Sequence, residues 1–570
     1  MKEREINMLG WFLCNTEFPK CKKIKDFDFC YSYINNGKFL DDKILIDNSE
    51  IFVLLDGIIF NKKELLKDSN KTWPEYFANQ FLENKFDFIK QLRGTFNGIF
   101  INKREKKIEA YVDQLGERPV FYYDSKIGDN NIIVVASNFN QIIDYLKINN
   151  VNYKPDIEAN KKFLTYGFMV DNSTHVKEIK KIFPGNYIDI NSLSEISYFK
   201  FNNKNCINCS IDSYIDMIDK TFRKALSLEL DKDIEYGYDI LMDISGGMDS
   251  RANAYVAHAM GYSNITNIAY LQDNVYERKV AENIVNDLDN DYIFKSLNNA
   301  KFVFDVDNII KQNFGLTYYL GTTGAPRLLD SLNQNKFGMQ HTGLLGDVYE
   351  GSFNDKPEYS KPHIEKRYQF SSFSNFKLDD TFLNQYSDQE IFSFYTRGIL
   401  GGVGTHILRQ NYFDTYSPFA DVDFLELMFS IPLKCRINDK IYLKWLSRCY
   451  PSSLKYPYAR TMCKATTNAS LAQVKINMIR AKDKLLLPII KAVGFDVKTN
   501  SRLTMNPTEY WVKTNPTLNQ FIDEYFFNNL KFVPNDIELL NYFEKVKLKG
   551  NLIDRAVALT LLSVYKQYFN

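Results

Sequence analysis

The stretch ILMDISGGMDSRANAYVAHAMG, Ile240 to Gly261, decides how this chain is read. An apolar run of strand character enters Ser245-Gly246-Gly247-Met248-Asp249-Ser250, and an alanine-rich helical segment follows until Gly261 stops it. A buried strand that turns through two glycines into a helix builds an anion cradle. Glycines let backbone N–H groups approach a phosphate closely, and the helix N-terminus adds partial positive charge. Ser245 and Ser250 add hydroxyl donors. Asp249 repels a phosphate, so its chemical role there is that of a Mg²⁺ ligand, the ion bridging carboxylate and phosphates. The Walker loop, which needs Gly-Lys-Ser/Thr after a longer turn, is a different arrangement.

The rhythm of the chain changes on the two sides of this stretch. Upstream, ILIDN, IFVLLDGIIF, GTFNGIFIN, IEAYVD, PVFYY and IIVVAS read as short strands, with helical patches such as NQIIDYLKI among them. IFPGNYIDI gives a turn at Pro184-Gly185 and a further strand. This is an α+β pattern in which sheet predominates. The polar segment Phe201 to Ser210 is the candidate linker. Beyond it, a helix (IDSYIDMIDKTFRKALSLEL), the strand YDILMDI, the helix at Ser250, the strand NITNIAYLQ, the helix YERKVAENIVNDL and the strand YIFKSL alternate, which predicts a doubly wound parallel sheet. The remainder, to Asn570, reads mainly as helices and loops. Two domains are expected, over 1–200 and 210–570.

Composition narrows the function classes. With 570 residues, 45% hydrophobic and 25% charged residues and a net charge of +1, the chain is an ordinary globular protein without the basic footprint of a nucleic-acid binder. The cluster KCKKIK at Lys20 to Lys25 reads as a solvated face. No apolar run reaches the ~20 residues of a membrane span, and the start MKEREINMLGWFLC has no signal-peptide core, so a cytoplasmic address is expected. Eight scattered cysteines fit a reducing compartment. Cys206 and Cys209 form a single CxxC without a second pair, and the five histidines never fall at metal-ligand spacing.

Ser245 to Ser250 resembles the pyrophosphate loop of ATP pyrophosphatases, Ser-Gly-Gly-x-Asp-Ser, and the whole chain resembles the asparagine synthetase family and its amide-forming relatives. YERKVAENIV is similar to the family's acidic-then-alanine helix. HTGLLGDVYEG, His341 to Gly351, resembles its second glycine-rich loop, with Gly343, Asp347 and Gly351 on matching positions. The resemblance makes Asp347 the second Mg²⁺ carboxylate beside Asp249. SPFADVDFLELMFSIP and KWLSR, Lys444 to Arg448, resemble two further family segments. Two departures stand out. Leu344 replaces a glutamate, and in LKYPYARTMCKATTNAS Arg460 aligns while Met462 occupies the position of the family's catalytic lysine. Lys464, two residues on, and Lys444 are the candidates to supply that charge.

The N-terminal half resembles the family's glutaminase, in VLLDGIIFNKKELL and in LRGTFNGIFINKREKKIEAYVDQLGERPVFYY. The implied fold is an Ntn-hydrolase-like αββα sandwich, followed by a doubly wound ATP-pyrophosphatase domain with added helices. Such glutaminases use an N-terminal cysteine whose own amine is the base. Here Met8-Leu9-Gly10 matches the family's Met-Cys-Gly, Asp56 replaces the oxyanion asparagine, and Ile58 replaces the glutamate that holds the substrate backbone. Asp113 matches a ligand-binding position, and Cys14 reads as a buried strand residue. The resemblance therefore implies an enzyme using ATP and Mg²⁺ to adenylate a carboxylate, of a small molecule or peptide, and to pass the acyl group to an amine without a working glutaminase. Its partners are small molecules, with no nucleic acid or membrane, and a homodimer is the candidate assembly. Asparagine synthesis from ammonia or glutamine, and a non-catalytic binding subunit, are the alternative readings.

Overall fold

The computed structural model describes residues 9–570 apart from 130, 274, 299, 323, 347–355, 365–368, 372, 375, 459–462 and 465–505. The β-branched and aromatic alternation of the N-terminal half forms two antiparallel six-stranded sheets. The first contains β1 (Gly10–Cys14), β2 (Lys22–Lys23), β3 (Cys30–Ile34), β8 (Phe121–Tyr123), β9 (Val134–Ala136) and β10 (Ile179–Lys181), in the order β10-β8-β9-β1-β3-β2. The second contains β4 (Ile44–Asp47), β5 (Ile51–Ile59), β6 (Gly94–Asn102), β7 (Lys107–Val112), β11 (Asn186–Asp189) and β12 (Ser194–Ser197), in the order β12-β11-β7-β6-β5-β4.

Period-two alternation decides which layer each side chain enters. Trp11 and Leu13 of β1 meet Phe52, Leu54, Ile99, Ile101 and Val112 between the two sheets. Their neighbours Phe12 and Cys14 turn outward to the helices Phe139–Ile148 and Ile157–Tyr166. Val53 and Leu55 turn the other way, onto the helix Trp73–Asn84. The result is the expected αββα sandwich.

The third sheet is parallel and five-stranded, with the order β15-β14-β13-β16-β17. Its strands are β13 (Asp239–Asp243), β14 (Ile265–Leu271), β15 (Asp291–Ser296), β16 (Phe337–His341) and β17 (Asp414–Tyr416). Ile240 and Met242 pack on one face with the helices Ile211–Glu235 and Asp249–Ala259, and Leu241 packs on the other with the C-terminal helix Leu552–Tyr568. The sheet is doubly wound, as expected. One expectation needs correction: the region read as helices and loops supplies β16 and β17. Gly338, Gln340 and His341 give β16 no alternating β-branched signature, and β17 has only three residues.

Apolar packing crosses from the sandwich to the parallel sheet. Phe39, Ile58, Phe60 and Leu115 share a cluster with Phe222, Met242 and Tyr416. Phe201 to Ser210 is irregular, but Phe201 is buried and Asn203 donates to Asp388 and Glu390 at 3.1 and 2.9 Å. A buried polar cluster makes a second tie. Asp42, 0% exposed, accepts from Lys62, from Lys232 at 3.1 Å, from Tyr236 at 3.0 Å and from the Ile59 N–H at 2.9 Å. Arg93 reaches Asp423 at 2.7 Å.

At the end of β16, His341 lies between Glu229 and Asp233 of the helix Ile211–Glu235, 2.8 Å from each. Burial alone would push the imidazole down, but the hydrogen bonds and charges of Asp233 and Glu229 overcome it and lift it to about 9. Burial also lifts Glu229 to about 7, against the pull of His341. An unfolded histidine titrates near 6.5, so the His341 stabilisation is complete below that pH and is lost as pH rises through about 9. The raised Glu229 acts in the same sense from lower pH. Urea unfolding followed against pH should therefore lose roughly 3 kcal/mol across this alkaline window. His341→Gln should flatten that dependence and cost about 3–5 kcal/mol at neutral pH, since it leaves buried carboxylates without their cation.

Candidate functional site

In the strand order β15-β14-β13-β16-β17 the chain winds outward from β13 on one side and from β16 on the other. A crevice at the carboxyl ends of these two strands is where doubly wound sheets bind ligands. Both glycine loops lie there. Ser245 to Met248 leaves β13 and enters the helix Asp249–Ala259, while Thr342 to Gly346 leaves β16. A Cβ on Gly343 would lie 2.8 Å from the Ser250 nitrogen and 2.9 Å from the Asp249 Cβ. A Cβ on Gly346 would lie 2.0 Å from the Asp249 carboxyl carbon. Only glycines let the second loop close over the start of the helix.

The first loop is held by its own hydroxyls. The Ser245 N–H donates to Ser250 Oγ at 3.0 Å, the two serine hydroxyls are 2.8 Å apart, and the Gly247 N–H donates to Ser245 Oγ at 3.1 Å. Burial pushes the Glu277 carboxyl up, although the Gly246 N–H it accepts opposes the shift. An acid that holds its proton more readily is compatible with an anion nearby. The second loop is fixed from three directions. Asn253 donates to the Thr342 carbonyl at 2.8 Å, His406 meets the Thr342 hydroxyl at 3.1 Å, and Ser417 donates to the Leu344 carbonyl at 2.8 Å.

Of the site residues expected from sequence, Ser245, Gly246, Gly247, Asp249, Ser250 and Gly343 are brought together here. Asp347 lies outside the described residues, as do Arg460 and Met462. Tyr442, on the helix Lys440–Cys449, donates to Asp249 Oδ1 at 3.3 Å. Lys444 is exposed on that helix, and side chains two positions apart diverge by about 200°, so it faces away from the Tyr442 contact. Lys464 is exposed and follows Cys463, whose carbonyl accepts from the Tyr458 N–H at 2.7 Å. Sequence reasoning missed Arg251, which joins the turn at Ser453 to Pro457 to the first loop. Its guanidinium donates to the Gly246 carbonyl at 3.0 Å and to the Tyr456 carbonyl at 2.8 Å. The available signal was a charged residue immediately after the motif, inside an alanine-rich buried run.

Of the positions expected from sequence to form a glutaminase site, Leu9 and Asp56 line a separate cavity of about 80 Å³, with Asn36, Lys43, Asn97 and Arg118 among others. Arg118 bridges Asp56, at 3.3 Å, and Asp414 of β17, while Tyr33 donates to Asp56 at 2.8 Å. Asp56 is thus a carboxylate neutralised by a guanidinium on the wall of this cavity. Ile58 is buried in the core shared with the parallel sheet. Asp113 is buried and accepts from the N–H groups of Phe96, Leu115 and Glu117, so it shapes a turn and lies outside the cavity lining. Cys14 is fully buried, and its thiol donates to the Thr16 carbonyl at 3.1 Å.

Residues 44–199 match the glutamine amidotransferase domain. The matched stretch runs from β4 through β12, and Leu9 precedes it. The N-terminal half is therefore glutamine amidotransferase-like. No curated protein matches the chain. Among solved structures, NMN synthetase from Francisella tularensis is 14% identical, covering 43% of this chain and 97% of its own, with a TM-score of 0.18. A likeness of that size carries no argument about fold or function.

The closeness of the two glycine loops generates a test. Gly343→Ala would press on the Ser250 backbone nitrogen, and thermal unfolding should report a loss of about 1–3 kcal/mol. Gly402→Ala is the control. Its Cβ would meet nothing closer than 3.5 Å, and unchanged or slightly raised stability is expected from the gain in helix propensity of up to about 1 kcal/mol.

Proposed function

We propose that this chain is an asparagine synthetase-like amide ligase that activates a carboxylate with Mg·ATP, releasing pyrophosphate, and transfers the acyl group to an amine. One observation carries the reading: Ser-Gly-Gly-Met-Asp-Ser and a second glycine loop converge at the carboxyl ends of β13 and β16, with the Asp249 carboxylate between them. The donor set fits a nucleotide polyphosphate. A bound phosphate would replace the bonds that the Ser245 and Gly247 N–H groups make to the serine hydroxyls, freeing those N–H groups and the Ser245 and Ser250 hydroxyls as donors, with the start of the helix Asp249–Ala259 behind them. Asp249, with Asp347, would hold Mg²⁺, which supplies charge neutralisation to the departing pyrophosphate.

The chain's own residues divide the remaining work. Gly343 and Gly346 bring the second loop against Asp249, and Tyr442 orients that carboxylate. Leu344 presents an apolar side chain, near Gly402, where the family carries a glutamate, so the acyl donor differs from aspartate in what it requires at that point. Lys464 supplies the cation for the negative charge that develops on oxygen in both half-reactions. The amine arrives from solution or from the same substrate molecule. Glutamine is not its source, because Leu9 offers no nucleophile and the Asp56–Arg118 pair occupies the pocket.

A screen of candidate carboxylates for pyrophosphate release tests the assignment directly. AMP and pyrophosphate are the expected products, and ADP with orthophosphate would refute it. Asp249→Asn should abolish turnover with the fold intact, because a neutral amide binds Mg²⁺ poorly. Lys464→Ala should lower turnover by about 10²–10³ with much less effect on ATP binding. Turnover lost in Lys444→Ala and kept in Lys464→Ala would instead assign the charge to the helix Lys440–Cys449.

Glutamine hydrolysis is a separate measurement. Glutamate release should stay at the buffer level with or without ATP, and Cys14→Ala should change nothing. Turnover that disappears in Cys14→Ala would overturn the reading of the N-terminal half.

A further inference from the structure

Arg251 is 0% exposed, and it differs in one respect from the other buried arginines near it. Arg436 pairs with Glu390 at 2.6 Å, Arg409 with Asp243 at 2.8 Å, and Arg118 with Asp56 and Asp414. Arg251 has only neutral acceptors among the described residues. Its Nη1 donates to the carbonyls of Ser453 at 3.1 Å and Tyr456 at 2.8 Å, and its Nη2 to those of Gly246 at 3.0 Å and Pro457 at 3.2 Å. Its Nε is buried without a hydrogen-bond partner among the described residues. A guanidinium buried without an anion is costly to maintain. An anion arriving at the loop above it would relieve that cost.

The Gly246 contact has a stereochemical consequence. In a trans peptide the carbonyl of one residue and the N–H of the next point to opposite sides. Arg251 holds the Gly246 carbonyl toward the protein interior, so the Gly247 N–H faces the other way, where it meets Ser245 Oγ. A Gly-Gly peptide flips easily because neither residue has a Cβ to oppose it. Flipped, it would aim a carbonyl dipole at a bound phosphate.

We propose that Arg251 is the positioning residue of the nucleotide site. It locks the Gly246–Gly247 peptide with its N–H on the Ser245 side, from which a bound phosphate could recruit it. It ties the 453–457 turn to that loop and, through the Tyr458–Cys463 hydrogen bond, the Lys464-bearing segment as well, and contributes an unneutralised positive charge beneath it. This inference rests on the nucleotide reading for its ligand but not for the tie itself.

Two variants of the full-length chain, Arg251→Lys and Arg251→Met, separate these effects. Cys463, 7% exposed and next to Lys464, reports the tie through its alkylation rate, resolved by peptide mass spectrometry without nucleotide. Binding of inorganic pyrophosphate with Mg²⁺ reports the field and the peptide orientation. Arg251→Met should speed Cys463 labelling about tenfold or more by local opening, and weaken pyrophosphate binding about tenfold through loss of the charge. Arg251→Lys should recover most of the pyrophosphate affinity but leave Cys463 labelled fast, because one ammonium cannot span four carbonyls as a guanidinium fork does. Folded variants that both keep Cys463 protected and pyrophosphate affinity unchanged would overturn the proposal. If Arg251→Met does not fold, Arg251→Lys decides by the same labelling criterion. If the wild-type chain binds neither pyrophosphate nor ATP, the nucleotide reading fails, and slow Cys463 labelling in Arg251→Lys would then refute the tie as well.

Discussion

The candidate site depends on one constraint, the position of β13 at the centre of a parallel sheet whose winding reverses beside it. Parallel strands end on one edge, and the reversal between β13 and β16 leaves their two following loops without a helix crossing over the gap. Ser245 to Ser250 and Thr342 to Gly346 close on each other there because the glycines remove the side chains that would hold them apart. The serine hydroxyls then satisfy loop N–H groups that would otherwise be exposed in the crevice. Chain direction, glycine placement and local hydrogen bonding together hold the two loops in contact at this one place.

Buried charge connects the halves of the molecule as much as apolar packing does. Asp42 binds lysines from both sides, Arg93 reaches Asp423, and Lys38, pushed down to about 8 by burial, donates to the Phe337 carbonyl at the start of β16. Such ties add little net stability when both partners are present, but removing one partner leaves a buried charge. They specify geometry. The sandwich and the parallel sheet are thereby held in one register, with the Glu117–His406–Thr342 chain passing from the sandwich to the second glycine loop. Glu117 is pushed up by burial and by the acids near it, and His406 down by burial and by Arg409, so both members favour their neutral forms.

The N-terminal half is joined to the parallel sheet by charge as well as by packing. A glutamine amidotransferase-like stretch keeps its strands, because the alternation that packs β4 through β9 is independent of catalysis. Asp56 and Arg118 line the small cavity between the strands, and Arg118 extends to Asp414 on β17. The cavity beside them is small, and the Arg118 ion pairs on its wall join the sandwich to the parallel sheet.

Much of the fold was legible in the residues alone. Strong period-two alternation marked β4 to β9, and the strand–glycine–helix succession marked β13, the Ser245–Met248 loop and the helix after it, because those signals are local in the chain. Asp249, Ser245, Ser250 and Gly343 were legible for the same reason. β16 and β17 were not, since Gln340 and His341 are polar residues in a buried strand, tolerated only because Asp243, Glu229 and Asp233 come to meet them from distant segments. The role of Arg251 was equally hidden. Sequence shows a cation after a serine, and only folding brings the carbonyls of residues 453 to 457 around it. Local chemistry is written in neighbouring residues, whereas the partner that makes a buried charge tolerable is chosen by tertiary structure.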